Sequence, residues 1–394
     1  MAAELGSIPS VTFSVTGQVY SGQSTWATNG GGNWGTFSGT GGNAFGVNWG
    51  ANQGSPGLDP SYTNTDTATF GAAVASGAAA INTNGANISL KAITFDNANA
   101  SYDIRQTGGS APITLIGSGS NASAISVVAG DHSIHAGVTM GSSLNVDVSL
   151  GSSLTLHNPL SGASAFNLTK NGSGTLYMNA VNTFTGDTFV DAGTLSGIGS
   201  LAGNVAVHSG GTLTAGADSG AYGVLSMGSL SLDSGAAVNL SVGGTASGLY
   251  DQIVAASGNV DFGGDLTINL ASNFFTVGDV WQLFSGLSYS GNFSRVMAEG
   301  AYGTLVFNNV GNGEWKATGN SLAKGQSMSF YVTNANAYQG NYMAGQLVIV
   351  PEPSALLAAG IGLGLLGWRQ LRRRHGGGIA LAARMLRNRH GSAD

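Results

Sequence analysis

Four groups of residues have types and spacings that could do chemistry. His132-Ser133-Ile134-His135, preceded by Asp131, is the one close histidine pair. On a strand, positions i and i+3 point to opposite sides, so these imidazoles would not converge on one metal ion. No third ligand stands at a fixed spacing either, and the pair reads as solvated loop histidines, with no metal site. The acids Asp187, Asp191, Asp218 and Asp233 are isolated at turn-like positions, and Asp261 and Asp265 flank Gly263-Gly264, where a hairpin or corner accounts for them. Glycan hydrolysis needs paired carboxylates, and lyase chemistry needs a strong base beside an acidic cluster. Only six Lys and Arg precede residue 351, and nothing in their spacing indicates such a site. No G-x-S-x-G, H-E-x-x-H or P-loop pattern occurs. The expectation is a non-enzymatic chain with no catalytic residues and no cofactor.

Trp26, Trp34 and Trp49 lie in a Gly/Asn-rich opening. Such rings could stack on sugars, but large side chains at the first rung of a repetitive β structure more often cover its exposed apolar end. A cap is the preferred reading and a glycan platform the second. The fourth group is Val350-Pro351-Glu352-Pro353. Its prolines pin φ and resist helix, so Glu352 sits in an extended, accessible peptide. An uncharged apolar run follows at residues 354–368, then Arg369-Gln370-Leu371-Arg372-Arg373-Arg374. That run is short of the ~20 residues a helix needs to cross a bilayer comfortably, and its arginines would stay cytoplasmic. A plain membrane anchor is the blander account.

The elements that must position these groups read as strands. Glycine supplies 65 of 394 residues and charged residues 8%, yet 42% are hydrophobic and recur in short alternating groups, which disordered chains lack. Gly/Ser/Asn/Asp punctuation separates pieces such as Asn145-Val146-Asp147-Val148-Ser149-Leu150 and Asn204-Val205-Ala206-Val207-His208, each with the period of a strand buried on one face. Gly141-Ser142-Ser143-Leu144 returns ten residues on as Gly151-Ser152-Ser153-Leu154, and Gly193-Thr194-Leu195 returns eighteen on as Gly211-Thr212-Leu213. Those intervals suit half a coil and one coil of a parallel β-solenoid, with about a dozen rungs over residues 70–317. A β-sandwich would give similar short strands and is the alternative.

Charge divides unevenly. Residues 1–350 carry six basic residues against 17 acids, a net of −11, and the remainder carries seven arginines against Glu352 and Asp394, a net of +5. An acidic body excludes the phosphate-neutralising mode of nucleic-acid binding. With no cysteine, disulfides, thiolate nucleophiles and Cys-based metal sites are excluded as well.

Two resemblances follow from these residues. The Pro351-Glu352-Pro353 peptide, the apolar segment 354–368 and the basic cluster Arg369, Arg372, Arg373 and Arg374 resemble, in that order, the PEP-CTERM sorting signal of exopolysaccharide-producing Gram-negative bacteria. The resemblance implies a C-terminal hydrophobic helix that tethers the precursor transiently to the inner membrane. It also implies processing near Pro-Glu-Pro by the transpeptidase exosortase. Leu168-Thr169-Lys170-Asn171-Gly172-Ser173-Gly174-Thr175-Leu176, followed by Asn182-Thr183-Phe184-Thr185-Gly186 and Val190-Asp191-Ala192-Gly193-Thr194-Leu195, resembles the autotransporter-associated β-strand repeat. That family implies a right-handed parallel β-helix displayed outside the cell. Autotransporters end in a large outer-membrane barrel, and nothing of that size follows Ala317, so self-secretion through a barrel is not expected.

The expected organisation is an aromatic, Gly-rich cap at 1–69 and a β-solenoid at 70–317 with the repeat at about 168–195. A terminal β segment and spacer follow at 318–349, the sorting signal at 350–375, and a basic tail without an assigned role at 376–394. Residues 1–20 have no Lys or Arg and no apolar core, so they lack a secretory signal. The expectation is a start placed downstream of the true signal peptide. The expected role is an exported surface or matrix protein, adhesive or scaffolding in an exopolysaccharide layer. A carbohydrate-binding or polysaccharide-degrading β-helix is the alternative.

Overall fold

The computed structural model describes residues 22–35, 48–50, 55–58, 65–162, 166–271, 275–318, 322, 326–334 and 342–351. Every regular element among them is a strand, and they form two units.

The first unit, to which the described residues of 22–240, 251–266 and 284–294 belong, is a parallel β-solenoid. Most coils visit three faces in turn, the third carrying two separate four-stranded sheets. The stretch after Ser123 shows the pattern: strand Ser123–Ala129 lies in the first sheet, Asp131–Ile134 in the second and Val138–Met140 in the third. The chain then returns to the first sheet with Leu144–Val148. The first sheet has eleven strands, from Gln23–Thr25 to Ser288–Gly291, all paired in parallel through successive coils.

The interior is built by stacking like on like. Ala68, Ile93, Ile125 and Val146 occupy one register column, and Val190, Val207 and Leu232 continue it. Ile81, Ile104, Ile134, Leu156 and Met178 form another on the second sheet. These side chains are buried, each worth roughly 1.5–3 kcal/mol on removal from water. Alternation survives because only one face of each strand points inward, unlike parallel sheets covered on both faces.

Coil length varies because corners absorb residues and strand registers do not. Leu144 stands opposite Leu168, Leu168 opposite Thr188 and Thr188 opposite Val205, so successive coils take 24, 20 and 17 residues. The short repeats in the sequence fall into place here. Gly193, Thr194 and Leu195 lie directly opposite Gly211, Thr212 and Leu213, one coil apart. Leu144 and Leu154 sit on the first and second sheets of the same coil.

The second unit, to which the described residues of 241–250, 267–283 and 295–351 belong, is built around antiparallel strands. Strands Arg295–Gly300, Leu305–Gly311, Glu314–Thr318, Gln326–Tyr331 and Gln346–Pro351 form a meander, with Val280–Gln282 added against the last. Asn312 and Gly313 both have positive φ, 52° and 75°, and join two strands as a two-residue hairpin turn. The expected solenoid boundaries therefore move. Parallel pairing begins before residue 70, at Gln23–Thr25, and on the first sheet its last strand is Ser288–Gly291, while antiparallel pairing sets in from Arg295–Gly300, ahead of 317. A two-residue turn can return only an antiparallel strand, whereas a parallel one needs a long crossover.

Among the described residues no helix is long and apolar enough to cross a membrane. The segment expected to do so, residues 354–368, lies outside them.

Candidate functional site

The segment 168–195 is placed by what each residue does inside the coil. Leu168, Leu176, Phe184, Val190 and Leu195 are buried apolar contacts. Asn182, 3% exposed, accepts the Leu160 N–H through Oδ1 at 2.8 Å and donates Nδ2 to Ala180 O and Ser200 O, each at 3.0 Å. It thereby ties three coils together. Lys170 faces inward, in register between Val146 and Val190, with no exposed surface. Its ammonium reaches the corner and donates to the carbonyls of Asn171 (2.6 Å), Gly172 (2.7 Å) and Ala192 (3.2 Å). Burial pushes it down to about 8, with the Asp147 charge acting against that. These residue types serve stacking, and none of them presents a reactive group to solvent.

The neighbouring corner carries a polar ladder. Ser143 Oγ accepts from Asn167 N, Asn167 Oδ1 from Asp187 N, Asp187 Oδ1 from Asn204 N, and Asn204 Oδ1 from the Ser229 hydroxyl. Asp187 thus belongs to the corner. Asp191 pairs with His208 at 2.6 Å, and Asp261 accepts from Ser290 at 2.8 Å.

Trp26, Trp34 and Trp49 are 1%, 0% and 3% exposed. Their rings pack on one another at 4.9–5.3 Å and on Phe70, which stacks on Phe95 in the next coil. The Trp49 indole donates to Trp34 O at 2.6 Å and the Trp34 indole to Pro56 O at 2.9 Å. No ring face is left for a sugar, so the glycan platform considered for them is not what they form. Among the described residues they cover the apolar end of the first paired coil, as large side chains at a terminal rung do. Trp34→Phe removes the Pro56 bond and leaves a gap; we expect a cost of about 1–2 kcal/mol. It should be confined to faster amide exchange around residues 67–95, with residues 168–213 unchanged.

The histidines are in part a correction. His135, just past the end of a strand, is an exposed loop residue as expected, but His132 is on that strand, 3% exposed, stacked on Phe95 and Tyr102. Its Nδ1 accepts the Tyr102 N–H at 3.0 Å and its Nε2 meets Ala129 O at 2.9 Å. Burial lowers its pKa and keeps it neutral. His135 follows the strand and is exposed. It bonds Asp103 at 2.6 Å and stacks on His157 of the next coil at 3.8 Å. Arg105 also holds Asp103, at 2.6 Å. Burial works to raise that carboxyl, but Arg105 and His135 together keep it below its usual range. Among the described residues no three His, Cys, Asp or Glu side chains gather as a metal ion would need.

One open groove, about 780 Å³, lies on the outer face of the second sheet. Ser133, Thr155 and Tyr177 form a register column along its floor. Asp131 stands at one side, accepting from Ser153 at 2.7 Å. At the other side is Asp218, in the segment joining strands Gly211–Thr214 and Val224–Met227. Asp218 reaches back over two earlier coils, accepting from Asn179 at 3.1 Å and Thr155 at 3.3 Å. Burial, then Asp218 and Asp131, raise the Tyr177 phenol above its ordinary value. Burial and the neighbouring His135 lower His157. Nothing in the sequence marked this groove, since Thr155 and Asp218 are 63 residues apart.

Residues 168–196 match the passenger-associated-transport-repeat family model. The match covers the stretch whose residues make the coil corners and core, and it points to a passenger-like, extracellular β domain. No curated protein and no solved structure matches the chain. Of the sorting residues, Pro351 ends a strand, paired with Gln326. Glu352, Pro353, Arg369, Arg372, Arg373 and Arg374 lie outside the described residues.

Proposed function

We propose that this chain is an exported, non-enzymatic surface or matrix protein, a scaffold or adhesin of an exopolysaccharide layer. In this reading exosortase releases it from a transient inner-membrane tether. The observation that carries the reading is the passenger-type repeat inside a parallel β-solenoid. Support for the sorting route comes from the sequence: Pro351-Glu352-Pro353, an apolar segment and an arginine cluster in that order. The last strand among the described residues is Gln346–Pro351, so a cut just beyond it would leave the described meander whole. The solenoid suits such a role because each rung is stabilised by its neighbours and needs no disulfide or metal.

Intact-mass measurement of the protein from its native envelope tests this. We expect a species ending near Pro353. Replacing Pro351, Glu352 and Pro353 together by alanine should leave a full-length chain in the inner membrane. Full-length wild-type protein lodged there would overturn the sorting route.

A further inference from the structure

The groove on the second sheet holds hydrogen-bonding groups that the fold does not use. Among the described residues, neither the Tyr177 hydroxyl nor a ring nitrogen of His157 has a hydrogen-bond partner. The groove is not a closed pocket. A second depression of about 470 Å³ adjoins it, sharing Asp131, Leu150, Gly151 and Ser152. Leu150 is 82% exposed at the junction. An extended occupant with repeating units fits a track that itself repeats from coil to coil.

The charges decide the class of occupant. No Lys or Arg lines either depression, and Asp131 and Asp218 would repel phosphate, sulfate or uronate groups. A divalent cation would need carboxylates gathered around it, which the described residues do not provide. What remains is a ligand with hydroxyls for the carboxylates, Ser133 and Thr155, and apolar C–H faces for the Tyr177 ring and Leu150.

We infer that this groove binds a chain of uncharged sugars. The site adds a ligand class to the surface role proposed above. It rests on that reading only for where the glycan would be met.

The test uses the full chain in mild detergent, with affinity electrophoresis against dextran, laminarin and hydroxyethylcellulose as neutral probes. Polygalacturonate and alginate serve as acidic probes, and calcium chloride alone as the cation probe. Retention on at least one neutral glycan is expected, with tenfold or greater weakening in Tyr177→Ala at an unchanged melting midpoint. Leu150→Asp, at a position that buries almost nothing, should weaken retention too and guards against a folding defect in the first variant. The inference is overturned by no retention on any neutral probe, by equal retention in both variants, by preference for the acidic polymers, or by a response to calcium alone. Any of these leaves a species ending near Pro353 unaffected, so the two readings fail separately.

Discussion

Gly193→Ala is expected to cost about 4 kcal/mol, an unusually large effect for adding one methyl group. The position has φ +65°, where an L residue is disfavoured by roughly 1–2 kcal/mol. The added Cβ would also stand 2.3 Å from Gly172 O and 2.5 Å from Gly174 O. Both contacts are backbone in the preceding coil, and Gly172 O is held by the Lys170 ammonium. Relief by rotating a side chain is therefore closed off. Gly151 is the control: its φ is +76°, but nothing lies within 4 Å of its Cβ position. Gly151→Ala should show the conformational cost alone. Chemical denaturation of both variants, followed by far-UV circular dichroism, gives the comparison. Equal losses would mean that the corners are not in contact as described.

Lys170→Met should destabilise by about 3 kcal/mol at pH 7, because three carbonyls lose a charged donor while the aliphatic stem is replaced nearly in kind. The pH dependence carries the sharper signature. Lys170 titrates at about 8 in the fold against 10.5 when free. Between those values the unfolded chain binds more protons than the folded one, so stability contributed by this group rises with pH across about 8 to 10.5. The gain is at most ~3 kcal/mol. Tyr102, Tyr177 and Tyr331 act in the opposite sense, because burial raises each of them and the fold then loses stability as the free phenols ionise near pH 10. The quantity to measure is therefore wild type minus Lys170→Met at each pH. A difference that stays flat from pH 7.5 to 10 would show that the ammonium is not buried against those carbonyls.

Much of the solenoid was legible because its signals are local and repeat. The interval between Gly193-Thr194-Leu195 and Gly211-Thr212-Leu213 is one coil, and the interval between Leu144 and Leu154 is one change of face. The repeat at 168–195 was recognisable for a related reason. Its glycines, its lysine and its asparagine are types that few other residues could replace at a tight corner. The Asn312-Gly313 turn was just as readable. The change it marks is hidden because punctuation continues unchanged across residue 300 while the pairing direction does not.

The sequence by itself determined the class of fold, the interval of the coils, the tight corners and the absence of cysteine chemistry. Only the tertiary structure decided where the outward polar groups meet. Asp218 comes to Thr155 and Asn179 because a long connection folds back over the sheet, and no periodicity encodes that return. Likewise, three tryptophans in a polar opening become a buried cluster on Phe70, since burial depends on how distant segments pack. Stacking order is a property of intervals along the chain, whereas exposure and convergence belong to the packed whole.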